Sequence, residues 1–538
     1  MTVVPILLAL LGGVVLSGDE PSVPVTLRVV EAGTGKLVPC RVSLRSADGA
    51  WSFPKVGSEG SVVRYERKAM TDPSVVEMHA TVSAHPLRYD LRPGRYTLTA
   101  ERGKEYQRVE LPLTVGSEPL SVEVPLRRWI NAADRGWFSG DTHAHRALAD
   151  LPNLLLAEDL NVAFPMTDWV REAFVPPIER RDAQFRDPGP SPIRVDERHL
   201  IVPRNTEYEI FTVNKAAHTL GAFFVLAHKT PLDLGAPPFG PVAARAHREG
   251  ALIELDKHNW PWSMALVPVM PVDLFELANN HVWQTTFAIR DYGERAAPYM
   301  KAERDAKGYT ERGWIDFGFQ NYYSLLNCGF RLRPTAGTGS GVHPVPLGFG
   351  RVYVKLDRPF AADAWLDALD AGRSFVTTGP LMFVTLDGRD PGHRFTTDEP
   401  APRSYALRGT IGSSVPLATI EVIVNGEVAH TLTPSNQAGD QGSFISEVNA
   451  DLPLDGSAWV AVRAFEKRDD GRVRFVHSGP FHVDVKDRPI RPRRVEVEYL
   501  ILRVEQQIER SRSVLPPAAP TSIAGRSKSY RAALAKAR

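Results

Sequence analysis

The apolar positions along the chain change their period at several points, and each change predicts a boundary. Between residues 20 and 127 apolar and polar residues alternate: Val25, Leu27 and Val29, then Cys40, Val42 and Leu44, then Tyr96, Leu98 and Ala100, then Val122 and Val124. Successive side chains of a strand point to opposite faces, so a period of two predicts half-buried strands. With Arg92-Pro93-Gly94 as turn punctuation, the segment reads as a small antiparallel sandwich. From 128 to 380 the pattern becomes helical runs closed by glycine and followed by short apolar strands. Leu154 to Leu160 precedes Val162 to Met166; Pro241 to Glu249 and Gly250 precede Ala251 to Leu255; Phe360 to Ala371 and Gly372 precede Ser374 to Val376. Repeated units of this kind predict a largely parallel sheet or β/α barrel. Alternation returns in 381–487, where Ala418 to Val424 runs into the hairpin signal Asn425-Gly426 and predicts a second sandwich. In 488–538, Val497, Leu500, Ile501, Val504 and Ile508 fall at helical spacing and predict one amphipathic helix docked on the body. The fold class expected is therefore multidomain α/β plus β, a central β/α unit flanked by two β-sandwiches and a C-terminal helix.

The first residues bear on compartment. Val3 to Leu16 is almost wholly apolar and is followed by Ser17-Gly18-Asp19-Glu20. Such a run is short for a bilayer span, and small residues followed by charge predict a signal peptide over 1–18 and export to the periplasm, cell surface or medium. No later segment approaches 18 apolar residues, so no membrane span is expected after cleavage. With 64 basic against 63 acidic residues the formal net charge is +1, which supplies no field to gather a phosphate backbone and argues against nucleic acid as a partner. The two cysteines, Cys40 and Cys328, lie far apart and outside any metal-type spacing; they read as small buried hydrophobes.

The strongest chemical signal is Gly140-Asp141-Thr142-His143-Ala144-His145-Arg146. Two histidines at i and i+2 of an extended strand face the same way and can chelate one cation, and a neighbouring carboxylate can fix an imidazole tautomer. Downstream, a helix and a strand lead to Thr167-Asp168, and Thr206-Glu207-Tyr208 follows the apolar run Leu200-Ile201-Val202. Glu207 competes with Glu209, which a strand would place on the same side. Nucleophile elbows, phosphate loops, dinucleotide fingerprints and Asp-rich calcium loops are absent.

This order of HxH, helix, strand and Thr-Asp resembles the PHP (polymerase and histidinol phosphatase) superfamily, and within it the CehA/McbA-type metallohydrolases. The likeness spans roughly 136–380 and includes Ala157-Glu158-Asp159-Leu160-Asn161-Val162, His218-Thr219-Leu220-Gly221, Asp256-Lys257-His258-Asn259-Trp260, Leu325-Leu326-Asn327-Cys328-Gly329 and Gly372 to Pro380. The resemblance implies a distorted β/α barrel with metal at its strand ends. It also implies His143, His145, Glu207, His218 and His258 as ligands to one or two divalent ions (Zn, Mn or Fe), with Asp168 and Arg146 as catalytic groups. The reaction it implies is hydrolysis of a phosphoester, ester or carbamate by metal-bound hydroxide. Leu91 to Tyr96 similarly resembles carboxypeptidase-regulatory-like sandwiches, which serve as spacers or binding modules.

Two departures from the family pattern qualify it. Trp169 stands where the pattern has a histidine after Thr-Asp. The turn Gly337-Thr338-Gly339-Ser340-Gly341-Val342-His343 has glycine where a GSDSH-like turn has its aspartate and its histidine. The site expected is thus reduced, with His343, two positions late, as a partial substitute. The segment His258 to Trp262 with Asn279 to Trp283 places aromatic rings beside amides and imidazoles, which suits the flat face of a sugar or aryl substrate, so that Trp169, Trp260 and His343 are candidate substrate contacts; His228, His247 and His281 read as structural or surface residues. The alternative function, from another class, is a catalytically inactive PHP-fold protein that recognises a glycan or peptide.

Overall fold

Strand formation follows the alternation closely at the N-terminus. Val23, Val25, Leu27 and Val29 of strand Val23–Glu31 are buried while Pro24, Thr26 and Arg28 between them are more exposed. In the computed structural model, which describes residues 22–180, 187–291, 293–398, 402–516 and 537, this strand pairs with Leu87–Leu91 and, in parallel, with Leu120–Leu126. A second, six-stranded sheet lies against this three-stranded one, and the two share one apolar core around Val25, Leu44, Leu98 and Val124. The segment read as a signal peptide, 1–18, and most of the tail after Pro516 lie outside the described residues. Cys40 and Cys328 are both free, and burial pushes both thiols up to about 12.

The central unit carries the expected helix–strand pairs: helix Leu151–Ala157 before strand Val162–Pro165, helix Phe239–Arg248 before Leu252–Asp256, and helix Ala362–Asp370 before Ser374–Thr377. Gly250 and Gly372 end the last two helices in left-handed conformation, as the pattern required. The sheets are mixed rather than largely parallel. Strand Trp137–Ala144 runs parallel to Val162–Pro165 but antiparallel to Arg351–Lys355. A second sheet runs Asp168–Glu172, Asn205–Val213, Ala216–Leu226, Leu252–Asp256, Leu274–Ala278, Arg333–Ala336. Its two strands Asn205–Val213 and Ala216–Leu226 form an antiparallel hairpin through Asn214-Lys215, both at positive φ, the backbone a tight two-residue turn needs.

The sheet holding Trp137–Ala144 does not stop at residue 380. Ser374–Thr377 pairs with Phe475–Ser478, so the C-terminal strands extend the central sheet. Trp137, Tyr353 and Phe375 join Leu381, Ile420 and Val462 in one core. The Asn425-Gly426 turn forms as expected between Leu417–Val424 and Glu427–Leu432. The last helix, Arg494–Ser511, buries Val497, Leu500 and Val504 against the central unit, and its Arg503 pairs with Glu294. Among the described residues no helix is long and apolar enough to cross a membrane.

Candidate metal centre

The end of strand Trp137–Ala144 points its histidines at the face of the second sheet. His143 is fully buried, its ring 4.4 Å from that of Phe224. Across that sheet Trp169, Glu207 and Phe224 stand in one register row, and Glu254 follows opposite Phe224. Residues two apart share a face, which adds Glu209 and Asp256, and Glu276 follows from the parallel pairing of Glu254 with Leu274. Five carboxylates thus line one face beneath two imidazoles.

The imidazoles meet edge to edge. His143 Nε2 lies 3.1 Å from His145 Nε2, and Glu207 Oε2 lies 3.1 Å from His145 Nε2 and makes no hydrogen bond. Two ring nitrogens aimed at each other repel unless a proton or a cation sits between them. Nitrogens bound to one zinc-like ion at about 2.0–2.1 Å lie roughly 3–3.5 Å apart. On the other side of the ring, His143 Nδ1 is 3.0 Å from Glu276 Oε1, the carboxylate–histidine arrangement that fixes a ring and leaves Nε2 to a metal. Burial, then the neighbouring His145, holds His143 well below the usual histidine range, so the ring is neutral, as a ligand must be. The donor set therefore fits a divalent cation, and His143, His145 and Glu207 offer ligating atoms within 4.8 Å of one another.

Behind these ligands the carboxylates are held by hydroxyls and a lysine. Glu254 Oε1 accepts from Thr142 Oγ1 at 2.9 Å and Thr335 Oγ1 at 2.7 Å; burial nevertheless pushes its carboxyl up to about 8. Burial and then Asp256 hold Glu276 well above the usual range, and burial raises Glu209 to about 7. Lys257 follows strand Leu252–Asp256 with φ at 52°, a left-handed turn that sends its side chain back among them. Its Nζ contacts Asp256, lies 2.8 Å from Glu209 Oε1 and 3.5 Å from Glu207 Oε1. Burial opposes the ammonium, but Asp256, Glu209 and Glu207 outweigh it and hold Lys257 well above its ordinary value.

In front of the ligands opens a cavity of about 360 Å³, walled by Trp169, Trp260, Trp283, His281 and His343. Trp169 sits 4.9 Å, ring to ring, from His145 and donates from Nε1 to Glu209 Oε2 at 2.9 Å. His343 is pushed down to about 3 by burial and then by Lys257. The N-terminal sandwich closes the mouth with Met70 and Thr71. Its Tyr65 hydroxyl donates to the His343 carbonyl and accepts from Gly341 N at 2.8 Å, and Arg67 Nε donates to Gly341 O at 2.6 Å. The N-terminal sandwich is thus a wall of the cavity and not a spacer.

Of the ligands implied by resemblance, three converge and two do not. His218 is the third residue of strand Ala216–Leu226, near the hairpin turn, and faces Ser511 of the last helix at 3.2 Å. Phe224, the residue against His143, lies six residues along the strand, roughly 20 Å away at 3.3 Å per residue. The antiparallel reversal at Asn214-Lys215 places the start of that strand at the wrong end. His258 follows Lys257, and the left-handed turn directs it away from the cavity. It sits between Trp314 and Phe317, ring centroids 5.1 and 5.0 Å away, with Nδ1 3.1 Å from Asn279 Nδ2. Glu207 itself lies near the start of Asn205–Val213, not at a strand end, because Leu200–Ile201 forms a separate strand.

The two catalytic candidates also lie elsewhere. Asp168 alternates with Trp169 on its strand, and its charge acts on His228 and Tyr208 on the other face. Arg146 stacks its guanidinium 4.7 Å from the Tyr65 ring, outside the cavity wall. The residues missed from sequence are Asp256, Lys257, Glu276 and His281. The carboxylates had one available signal: Glu254, Asp256 and Glu276 interrupt otherwise apolar strand runs, and a charge in a buried strand needs a partner or a task.

No family model matches the chain, and no curated protein does. Among solved structures, a group B streptococcus pilus 2b backbone protein is similar over 20% of this chain and 41% of its own, at 13% identity and a TM-score of 0.14.

Proposed function

We propose that the chain is an exported metal-dependent hydrolase of the PHP type, with one divalent cation held by His143, His145 and Glu207. The observation that carries this reading is the convergence of two imidazole nitrogens 3.1 Å apart, one of them on the fully buried His143 with Glu276 behind it. The finer fold reading goes with it: the two central sheets, joined where Val162–Pro165 leads directly into Asp168–Glu172, form a distorted β/α barrel whose mouth is the cavity. The apolar run at residues 3–16 supports export.

A cation bound there would supply the Lewis acidity that hydrolysis of a phosphoester, ester or carbamate needs at neutral pH. The chain's own residues do the rest. Glu276, once ionised, accepts from His143 Nδ1 and so leaves Nε2 free for the cation. Trp169, Trp260 and Trp283 exclude water and offer flat faces to a sugar or aryl group. Glu209, raised to about 7 and facing the cavity, can hold or release a proton near neutral pH. The test is a hydrolase screen of protein reconstituted with Mn²⁺, Zn²⁺ or Fe²⁺ against phosphomonoesters, phosphodiesters and aryl esters, with metal counted on the same samples. Turnover that follows metal content is expected; a protein that takes up no metal contradicts the reading.

A second reading, a non-catalytic binder of a glycan or peptide in the same cavity, draws on Trp169, Gly339 and Gly341. Gly341 has φ at 113°, and a Cβ there would lie 1.9 Å from the His145 carbonyl oxygen. The glycine is required by the turn, so the position cannot carry the family's ligand in this conformation.

A further inference from the structure

Beside the imidazole cluster lies a second set of ligating atoms, from His143, Asp256 and Glu276, also within 4.8 Å of one another and wholly buried. The ammonium of Lys257 contacts one member of this set, Asp256. Asp256 from one strand, and Glu209 and Glu207 from the strand on the far side of Ala216–Leu226, all come within 3.5 Å of the single atom Nζ. The side chain is 2% exposed, and the left-handed backbone at Lys257 is what aims it there. Asp256 Oδ1 and Glu276 Oε2 are buried without a hydrogen-bond partner, so the carboxylates are not saturated by the lysine alone.

We infer that Lys257 is a built-in substitute for a second divalent cation, fixing the stoichiometry of the centre at one. A metal needs several oxygens around one point and a charge balance; the ammonium supplies the charge at that point and has no lone pair to share. It also touches Glu207, so it sets the charge of the carboxylate that the first cation uses. An ordinary structural ion pair makes a different prediction. Its loss destabilises the protein whatever metal is present, whereas the loss of a cation substitute is made good by a cation.

The inference rests on the reading of His143, His145 and Glu207 as a cation site, and the experiment separates the two. Wild type, Lys257→Met and Lys257→Met/Glu209→Gln are stripped with chelator and dialysed against Mn²⁺ or Zn²⁺. Bound metal is then counted by mass spectrometry and melting is followed with and without metal. The expected counts are one equivalent in wild type, two in Lys257→Met and one in the double variant. The melting deficit of Lys257→Met is expected to be recovered by metal. One equivalent in both wild type and Lys257→Met, with a deficit that metal does not change, overturns the inference and leaves the imidazole site standing. None in wild type and one in Lys257→Met overturns the imidazole site and supports the lysine's role; none in either overturns both. Should Lys257→Met fail to accumulate in metal-poor medium, its soluble yield in Mn²⁺-supplemented medium replaces melting: recovery supports the inference and no recovery overturns it.

Discussion

The two ends of the carboxylate face make opposite electrostatic arrangements from nearly the same parts. At one end the neutral, buried His143 and the part-buried His145 converge with Glu207, which the Lys257 ammonium approaches only to 3.5 Å. At the other Asp256 and Glu209 are also buried, but Lys257 lies among them, in contact with Asp256 and 2.8 Å from Glu209 Oε1. Counting acids would rate both ends as metal sites. Charge and donor type separate them: at the lysine end the ammonium already offsets a carboxylate charge, and only the imidazole end brings two ring nitrogens to its carboxylate. The difference comes from one residue's backbone: a left-handed φ at Lys257 turns an ammonium inward and a histidine, His258, outward.

Substitution at Gly341 should have the largest effect, and it breaks the imidazole end through the backbone. In Gly341→Ala the new Cβ meets the His145 carbonyl at a positive φ. The variant should lose roughly 3 kcal/mol or more, with metal affinity falling alongside, as read by denaturant unfolding and metal titration. Next, Glu276→Ala leaves His143 Nδ1 without its partner and should weaken metal binding about 10–100-fold, with Glu276→Gln intermediate, in a competition titration.

A smaller effect concerns Glu254, which underlies both ends. Its carboxyl is raised from 4.5 to about 8, so the folded state holds a proton that the unfolded state releases. A raised folded value contributes stability that is present below the unfolded value and lost as pH rises through the folded one. Glu254→Gln should therefore flatten the decline in metal-free stability between pH about 4.5 and about 8, checked by melting across that range. Smallest is His218→Ala, which removes a contact to Ser511 and should cost about 1 kcal/mol with metal content unchanged. A fall in bound metal in His218→Ala or His258→Ala would blur the comparison by bringing back a residue that the structure sets outside the centre.

What the sequence disclosed follows the range of each interaction. The i, i+2 histidines were legible because strand geometry alone puts both on one face. The helix–strand units and the Asn425-Gly426 hairpin were legible for the same local reason. His218 was misplaced because the direction of a strand, not its apolar content, decides which end meets the site; the Asn214-Lys215 reversal is a weaker signal than glycine would be. His258 was misplaced by one residue of left-handed backbone, which a non-glycine position does not announce. The role of Tyr65 and Arg67 at the cavity mouth depends on contacts more than 270 residues apart in sequence, beyond any local pattern. Continuity of the central sheet through Phe475–Ser478 was hidden likewise.

The central claim, that His145 holds a cation with His143 and Glu207, is tested most directly by melting wild type and His145→Ala, each with and without chelator, with bound metal counted beforehand. His145 is the better target because His143 also partners Glu276. The account predicts about one equivalent in wild type and a melting temperature that chelator lowers, since a ligand bound only to the folded state stabilises it by RT ln(1 + [L]/Kd). In His145→Ala the equivalent should be lost, and chelator should no longer shift the melting temperature, whatever offset the substitution itself adds. A variant that keeps its metal and its chelator-dependent shift, or a wild type that shows neither, would contradict the account.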